Sequence, residues 1–293
     1  MKKLRKFAVP LLLFLVSVSS MALGQKNLKV FISVDMEGIS GVVDWTDVSG
    51  SDGDYQYFRK VMTKETNAAI EGALEAGATE VIVRDSHNNA RNILPEELNP
   101  EAKLLRGWVG GPLGMMDGID ESFDAVIFIG YHAKAGTLNA VLKHTMSSSN
   151  ITDVTINGIS CPESGYNGMT AGYFKVPVVF LSGDQAACDQ VKAIFGNIET
   201  VPVKKGIGAA ALNLHPKKSR KLIREGVKKA LGRLSDFKPF ELTGPHKIEV
   251  TYKNEEKAYK AALWPGATRT GDWTATYTSN QFLDIMKFLR LSY

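Results

Sequence analysis

Apolar runs of strand length alternate with segments of helical period along most of this chain, and that alternation constrains the fold more than any other feature. Leu28–Val34 reads as a strand, and 55–76 as a helix with Phe58, Val61, Met62, Ala69, Ile70, Ala73 and Leu74 on its buried face. Gly77 is a stop signal for that helix. Further strands are expected at 80–83, Ala102–Leu105, 124–129 and 178–181, and a strand entering an Asn157-Gly158 turn at 154–156. Helices are expected at 164–174, after a capping Asp184, and at 216–231, whose basic face should be solvated. The order specifies an α/β fold with a largely parallel sheet flanked by helices. Beyond about residue 240 the texture changes. His246–Tyr252 alternates like a half-exposed strand, 255–263 is helical, 268–277 strand-like with turns, and 281–291 a closing helix. We read residues 25–240 as one α/β domain and 241–293 as a smaller C-terminal α+β unit.

Residues 1–24 are set apart from the fold. A basic start is followed by an apolar stretch and by Ala22-Leu23-Gly24, the pattern of a cleaved secretory signal peptide. The alternative is an uncleaved N-terminal anchor; no later run is long enough to span a bilayer. Lys2, Lys3, Arg5 and Lys6 account for the whole excess of 35 basic over 31 acidic residues. The remainder is formally neutral, so charge gives no reason to expect nucleic acid or a membrane surface as a partner. The expected location is periplasmic or extracellular. Cys161 and Cys188 form either a single bridge or two buried thiols.

The ends of the expected strands carry the chemistry. The first runs into Asp35-Met36-Glu37-Gly38, the second into Asp85-Ser86-His87, and the strand at 124–129 into Gly130-Tyr131-His132. Asp35 and Glu37, two apart on extended backbone, point the same way, so the pair is either solvated on a loop or holds a cation. His87 and His132 read as hydrogen-bonded histidines or as ligands. Glu163 reads as a helix-start residue or as a fifth ligand, and His144 as a surface residue or a catalytic group. Asp85 suits a turn or a supporting carboxylate. The carboxyl edge of a parallel sheet is where ligands bind, so these distant residues are expected to converge there. Asp, Glu and His suit zinc and neighbouring transition metals.

The segments SVDMEGISG, VRDSHNNA, IGYHAKAGT, KHTM and ESGYNGMTAGYF follow one another in this order. Together they resemble the M55 family of metallopeptidases, the D-aminopeptidases, over roughly residues 28 to 290. The resemblance implies two zinc ions per subunit. Asp35 would bridge them, Glu37 and His87 would complete one site, and His132 and Glu163 the other. His144 matches the family's catalytic histidine, with Asp85 and Asn167 as supporting groups. It also implies a homo-oligomer, a decamer, acting on short peptides; with export, cell-wall peptides become the expected source. The chain departs from the family pattern at Cys161-Pro162, Tyr166 and Gly168, around the Glu163 wall of the pocket, and in carrying an export signal. Two other readings compete: a two-metal phosphoesterase using Arg84 and Lys134, and a non-catalytic secreted protein that binds peptide or metal.

Overall fold

The computed structural model describes residues 27–50 and 53–292. The expected signal peptide lies outside the described residues. Two sheets organise the chain. The larger has the strand order β3-β2-β1-β4-β7-β8-β9, made of Leu28–Val34 (β1), Ala78–Asp85 (β2), Ala102–Leu105 (β3), Ala125–Tyr131 (β4), Val178–Asp184 (β7), Glu199–Ile207 (β8) and Ala210–Asn213 (β9). All its pairings are parallel except β8 with β9. From β1 the chain builds outward through β2 and β3, then returns to the other side of β1 with β4. The switch in direction therefore falls between β1 and β4, which opens a crevice at their carboxyl ends.

Helices cover both faces. The short Trp45–Val48 (α1) follows the first strand; on one face, Gly53–Glu75 (α2) and Pro216–Gly232 (α5) pack on Val30, Ile32, Val34, Ile127 and Ile129. On the other, Glu163–Tyr173 (α3) and Gln185–Phe195 (α4) enclose Phe31, Val126, Phe128 and Leu181. β1, β4 and β7 are buried on both faces, which is why they read as continuous apolar runs. Local signals match their elements: Gly77 ends α2 at φ +95°, and the Asp184 carboxylate caps α4 by accepting from Ala187 N at 2.7 Å.

The smaller sheet is antiparallel, in the order β11-β12-β10-β5-β6, from Ile151–Ile156 (β5), Ile159–Ser160 (β6), His246–Tyr252 (β10), Thr268–Gly271 (β11) and Thr274–Ser279 (β12). Glu255–Ala261 (α6) and Phe282–Leu291 (α7) pack on it, and the segment expected to be strand-like with turns at 268–277 forms a hairpin. Two of its strands, β5 and β6, come from before residue 240, because Val154 and Ile156 of β5 pair with Val250 and Ile248 of β10. The sheet is thus assembled from both sides of the composition change. α7 brings the end of the chain back to the crevice.

Candidate metal centre

Asp35, Glu37, His87, His132, Glu163 and His144 meet at the crevice between β1 and β4. The chain achieves this with very close backbone approaches. Gly38 N donates to Gly130 O at 2.7 Å, and a Cβ on Gly38 would fall 2.0 Å from the Tyr131 carbonyl. Gly130, at φ +71°, approaches the Asp35 carbonyl as closely. These two glycines let the strand ends touch, so their side chains share one buried pocket floor.

Asp35 is the hub. Its Oδ1 lies 3.2 Å from His87 Nδ1 and its Oδ2 3.5 Å from His132 Nε2. Glu37 Oε2 is 3.0 Å from His87 Nδ1, and Glu163 Oε1 is 3.7 Å from His132 Nε2. Asp35, Glu37 and His87 thus form one group of converging ligand atoms, and Asp35, His132 and Glu163 a second. The outer ring nitrogens fix the tautomers. His87 Nε2 bonds the Val48 carbonyl at 2.7 Å, and His132 Nδ1 bonds the Ala133 carbonyl at 2.9 Å. Each bond uses the ring N–H and turns the lone pair of the other nitrogen toward the carboxylates. Lone pairs then face lone pairs, an arrangement that needs protons or a cation between them. Asp35 Oδ2 and His132 Nε2 find no hydrogen-bond partner among the described residues despite their burial. This donor set fits a pair of borderline-soft divalent ions.

The electrostatics of the clustered side chains point the same way. Burial, with Glu37 beside it, pushes the Asp35 carboxyl up to about 7. Burial opposes ionisation of Glu37 and Glu163 too, yet the histidines hold both carboxyls below their ordinary range. Burial also opposes charge on His132, but Glu163, Glu37 and Asp35 raise it to about 10. Three buried carboxylates side by side are therefore held only by positive charge placed among them.

His144 stands at the rim. Its Nδ1 bonds the Leu142 carbonyl at 2.8 Å, its ring stacks on His132 with centroids 4.1 Å apart, and Trp45 contacts it edge-on. Its Nε2 reaches toward Glu163 at 3.6 Å and Glu37 at 3.8 Å. Burial first, then His132, lowers its pKa. The cluster opens into a cavity of about 470 Å³, lined also by Trp108, Tyr166 and Arg290.

The two supporting groups act through their neighbours. Asp85 does not orient the His87 ring: its carboxylate accepts from Asn92 N, Asn92 Nδ2 and Ile93 N, and the Val48 carbonyl holds the ring instead. Asn92 Nδ2 also donates to the His87 carbonyl, so Asp85 steadies the loop rather than the imidazole. Asn167 donates to Tyr131 Oη at 3.3 Å and Met115 Sδ at 3.1 Å, behind the cluster. The cations a phosphoesterase would need are engaged elsewhere. Arg84 is fully buried, bonded to the Leu105 and Gly107 carbonyls and paired with Asp117, while Lys134 pairs with Asp153. Cys161 and Cys188 are free, buried thiols, each pushed up to about 12 by burial. Tyr166 lines the cavity, and Gly168 leaves room for the Phe195 ring, which a Cβ would meet at 2.2 Å. Pro162 is the residue before the first turn of α3, where Glu163 begins the helix.

Sequence reasoning missed Lys204, buried beneath the Asp35–Glu37 turn, and the far wall of the cavity formed by Trp108 and Arg290. A lysine followed by another lysine carries no local signal of burial. Trp108 and Arg290 lie 182 residues apart, and only the path of α7 brings them together.

A parallel-sheet crevice holding three carboxylates and three histidines defines a metal-dependent hydrolytic centre as the class of site. The sequence matches the family model Peptidase_M55, described as D-aminopeptidase, over residues 28–291. A D-aminopeptidase of Bacillus subtilis (strain 168) is 36% identical over 261 residues, covering 88% of this chain and 93% of the relative. A solved structure, the Zn-dependent D-aminopeptidase DppA from Bacillus subtilis, a self-compartmentalizing protease, superposes with a TM-score of 0.87 at 34% identity, covering 90% of this chain and 96% of that one. The chain belongs to the M55 family of D-aminopeptidases and is a metallo-aminopeptidase.

Proposed function

We propose that this protein is a zinc-dependent aminopeptidase that removes the N-terminal residue, D-configured by preference, from short peptides through a two-metal centre. The observation that carries the reading is the division of labour on Asp35, whose two oxygens face two separate ligand groups. Glu37 and His87 complete one group, His132 and Glu163 the other. Zinc bound there would supply polarisation of the scissile carbonyl and a lowered pKa for water.

The chain's own residues supply the rest. Val48 and Ala133 hold the two ligand imidazoles in the tautomers that present a lone pair inward. His144, tied through Nδ1 and kept neutral by burial, leaves Nε2 free to take a proton from the attacking water and return it to the leaving amine. Trp45 and the stacked His132 ring keep that imidazole in place over the cavity mouth. Met146 N donates to Glu163 Oε1 at 2.6 Å, which ties the loop carrying His144 to the metal cluster.

The same reading extends to the molecule's setting. Residues 1–24 serve as an export signal, placing the enzyme in the periplasm or outside the cell, where cell-wall peptides supply its substrates. Leu138, Ile207 and Leu212 are exposed apolar side chains, suited to contacts between copies in a homo-oligomer, a decamer by family resemblance. Zinc content measured together with hydrolysis of paired D- and L-alanyl peptides tests the central claim. Two zinc ions per chain and chelator-sensitive turnover that favours the D-peptide are expected. A fully metal-loaded protein that cleaves no aminoacyl bond would overturn it.

A further inference from the structure

The cavity is lined by groups of opposite charge. The floor is the carboxylate cluster. Arg290, from the last turn of α7, also lines the cavity and presents a guanidinium with no acidic partner within 4 Å among the described residues. Asp117, the acid whose field it shares, is taken up by Arg84 at 3.7 Å and by Val109 N. Arg290 is nevertheless firmly placed. Its guanidinium carbon lies 5.2 Å from the centroid of Trp108, while Arg84 lies 4.6 Å from that same ring. The indole is itself tied by its N–H to the Asn88 carbonyl at 2.8 Å, in the loop just after His87. The guanidinium also rests on Gly114, where a Cβ would come within 3.2 Å of it.

A pre-positioned guanidinium that lacks an internal carboxylate and lines a small-ligand cavity is built to bind an anion of the ligand. A peptide supplies one at its C-terminus. The geometry points to Arg290 as the residue that binds the terminal carboxylate of the substrate and so restricts this enzyme to short peptides with a free C-terminus. The inference rests on the aminopeptidase reading and adds the substrate class to it. Arg84, on the same indole, is paired with Asp117 and does not line the cavity, so Arg290 is the cation left for the ligand. A longer chain would have to pass Arg290 and Trp108, and an amidated chain would leave the guanidinium without its partner. A cavity of about 470 Å³ is of the size that encloses a small ligand.

The test compares the free-acid dipeptide alanyl-alanine with its C-terminal amide, in the configuration the wild-type zinc enzyme turns over. Wild type should prefer the free acid. Arg290→Gln should raise KM for the free acid by about 10- to 100-fold while kcat and the amide's kinetics change little. Arg290→Lys keeps the charge and loses the planar fork, so it should fall between the two. It also serves as the reporter if the glutamine variant fails to fold, and zinc content and circular dichroism check both variants. Equal losses on the two substrates, no loss on either, or a wild type indifferent to the amide would overturn the assignment. A zinc-loaded wild type that cleaves neither dipeptide would remove the aminopeptidase reading, and this inference with it.

Discussion

Lys204 donates from its buried ammonium to the main-chain carbonyl of Glu37, and to those of Ile39 at 3.1 Å and Val42 at 2.6 Å. One side chain from β8 thus ties down the whole turn that follows β1, on which two of the proposed metal ligands sit. Burial pushes Lys204 down to about 8, with Asp184, Glu65 and Glu37 resisting, so it remains largely charged near neutrality.

Replacing Lys204 by methionine keeps the volume and removes every donor. Buried carbonyls left without partners cost about 1–3 kcal/mol each. The Lys204→Met variant should therefore lose about 3–5 kcal/mol in urea denaturation and bind zinc more weakly by titration. Wild-type zinc affinity in a folded variant would show that the turn does not need this lysine.

How much of this was legible beforehand follows from the range of the forces involved. β1, β4 and β7 announce themselves because strands buried on both faces must be apolar throughout, and their ends deliver Asp35, Glu37 and His132 in sequence order. The β8–β9 hairpin was not anticipated. Pro202 and the lysines at 204 and 205 argue against a strand locally, yet Pro202 lies short of the stretch that β9 pairs, which begins at Lys204. The burial of Lys204 and the approach of Arg290 to Trp108 depend on contacts between elements far apart in the chain, and no local pattern encodes them. Asp85 suits either a turn or a supporting carboxylate from its sequence alone, and only the bonds to Asn92 and Ile93 choose the turn.

His144 tests the proposed proton transfer separately from metal binding. Its Nε2 faces Glu163 and Glu37 only at 3.6–3.8 Å, so truncation should leave the other ligand atoms in place. His144→Ala should retain most of its zinc and lose about 10²- to 10⁴-fold in kcat. Elemental analysis beside steady-state kinetics distinguishes the outcomes: unchanged turnover removes the acid–base role, and lost zinc makes the residue a ligand.

Removing the metal should weaken the fold as well as the activity. Without cations the cluster keeps three buried carboxylates together. A ligand bound only by the native state stabilises it by about 4 kcal/mol at a thousandfold excess over its Kd. Chelator-treated protein should therefore melt at a lower temperature, and its melting point should climb with added zinc. A melting point indifferent to zinc over that range would show that the cluster does not take up the ion.

Glu65 supplies a prediction about pH away from the ligands themselves. It is fully buried on α2 and accepts from Ser40 N at 3.2 Å, beneath the same turn that Lys204 holds. Burial raises its carboxyl to about 7, with Ser40 and Lys204 only partly offsetting the effect. A group whose pKa rises on folding binds its proton more tightly in the native state. Its contribution is complete below the unfolded value of 4.5 and is lost as pH climbs through about 7. Wild type should thus lose up to about 3 kcal/mol relative to Glu65→Gln between pH 4.5 and pH 8, because the glutamine stays neutral throughout. Denaturant midpoints of the two proteins across that range should diverge as pH rises. Parallel curves would mean that Glu65 ionises at its ordinary value and that the interior beneath the turn is wetter than its burial implies.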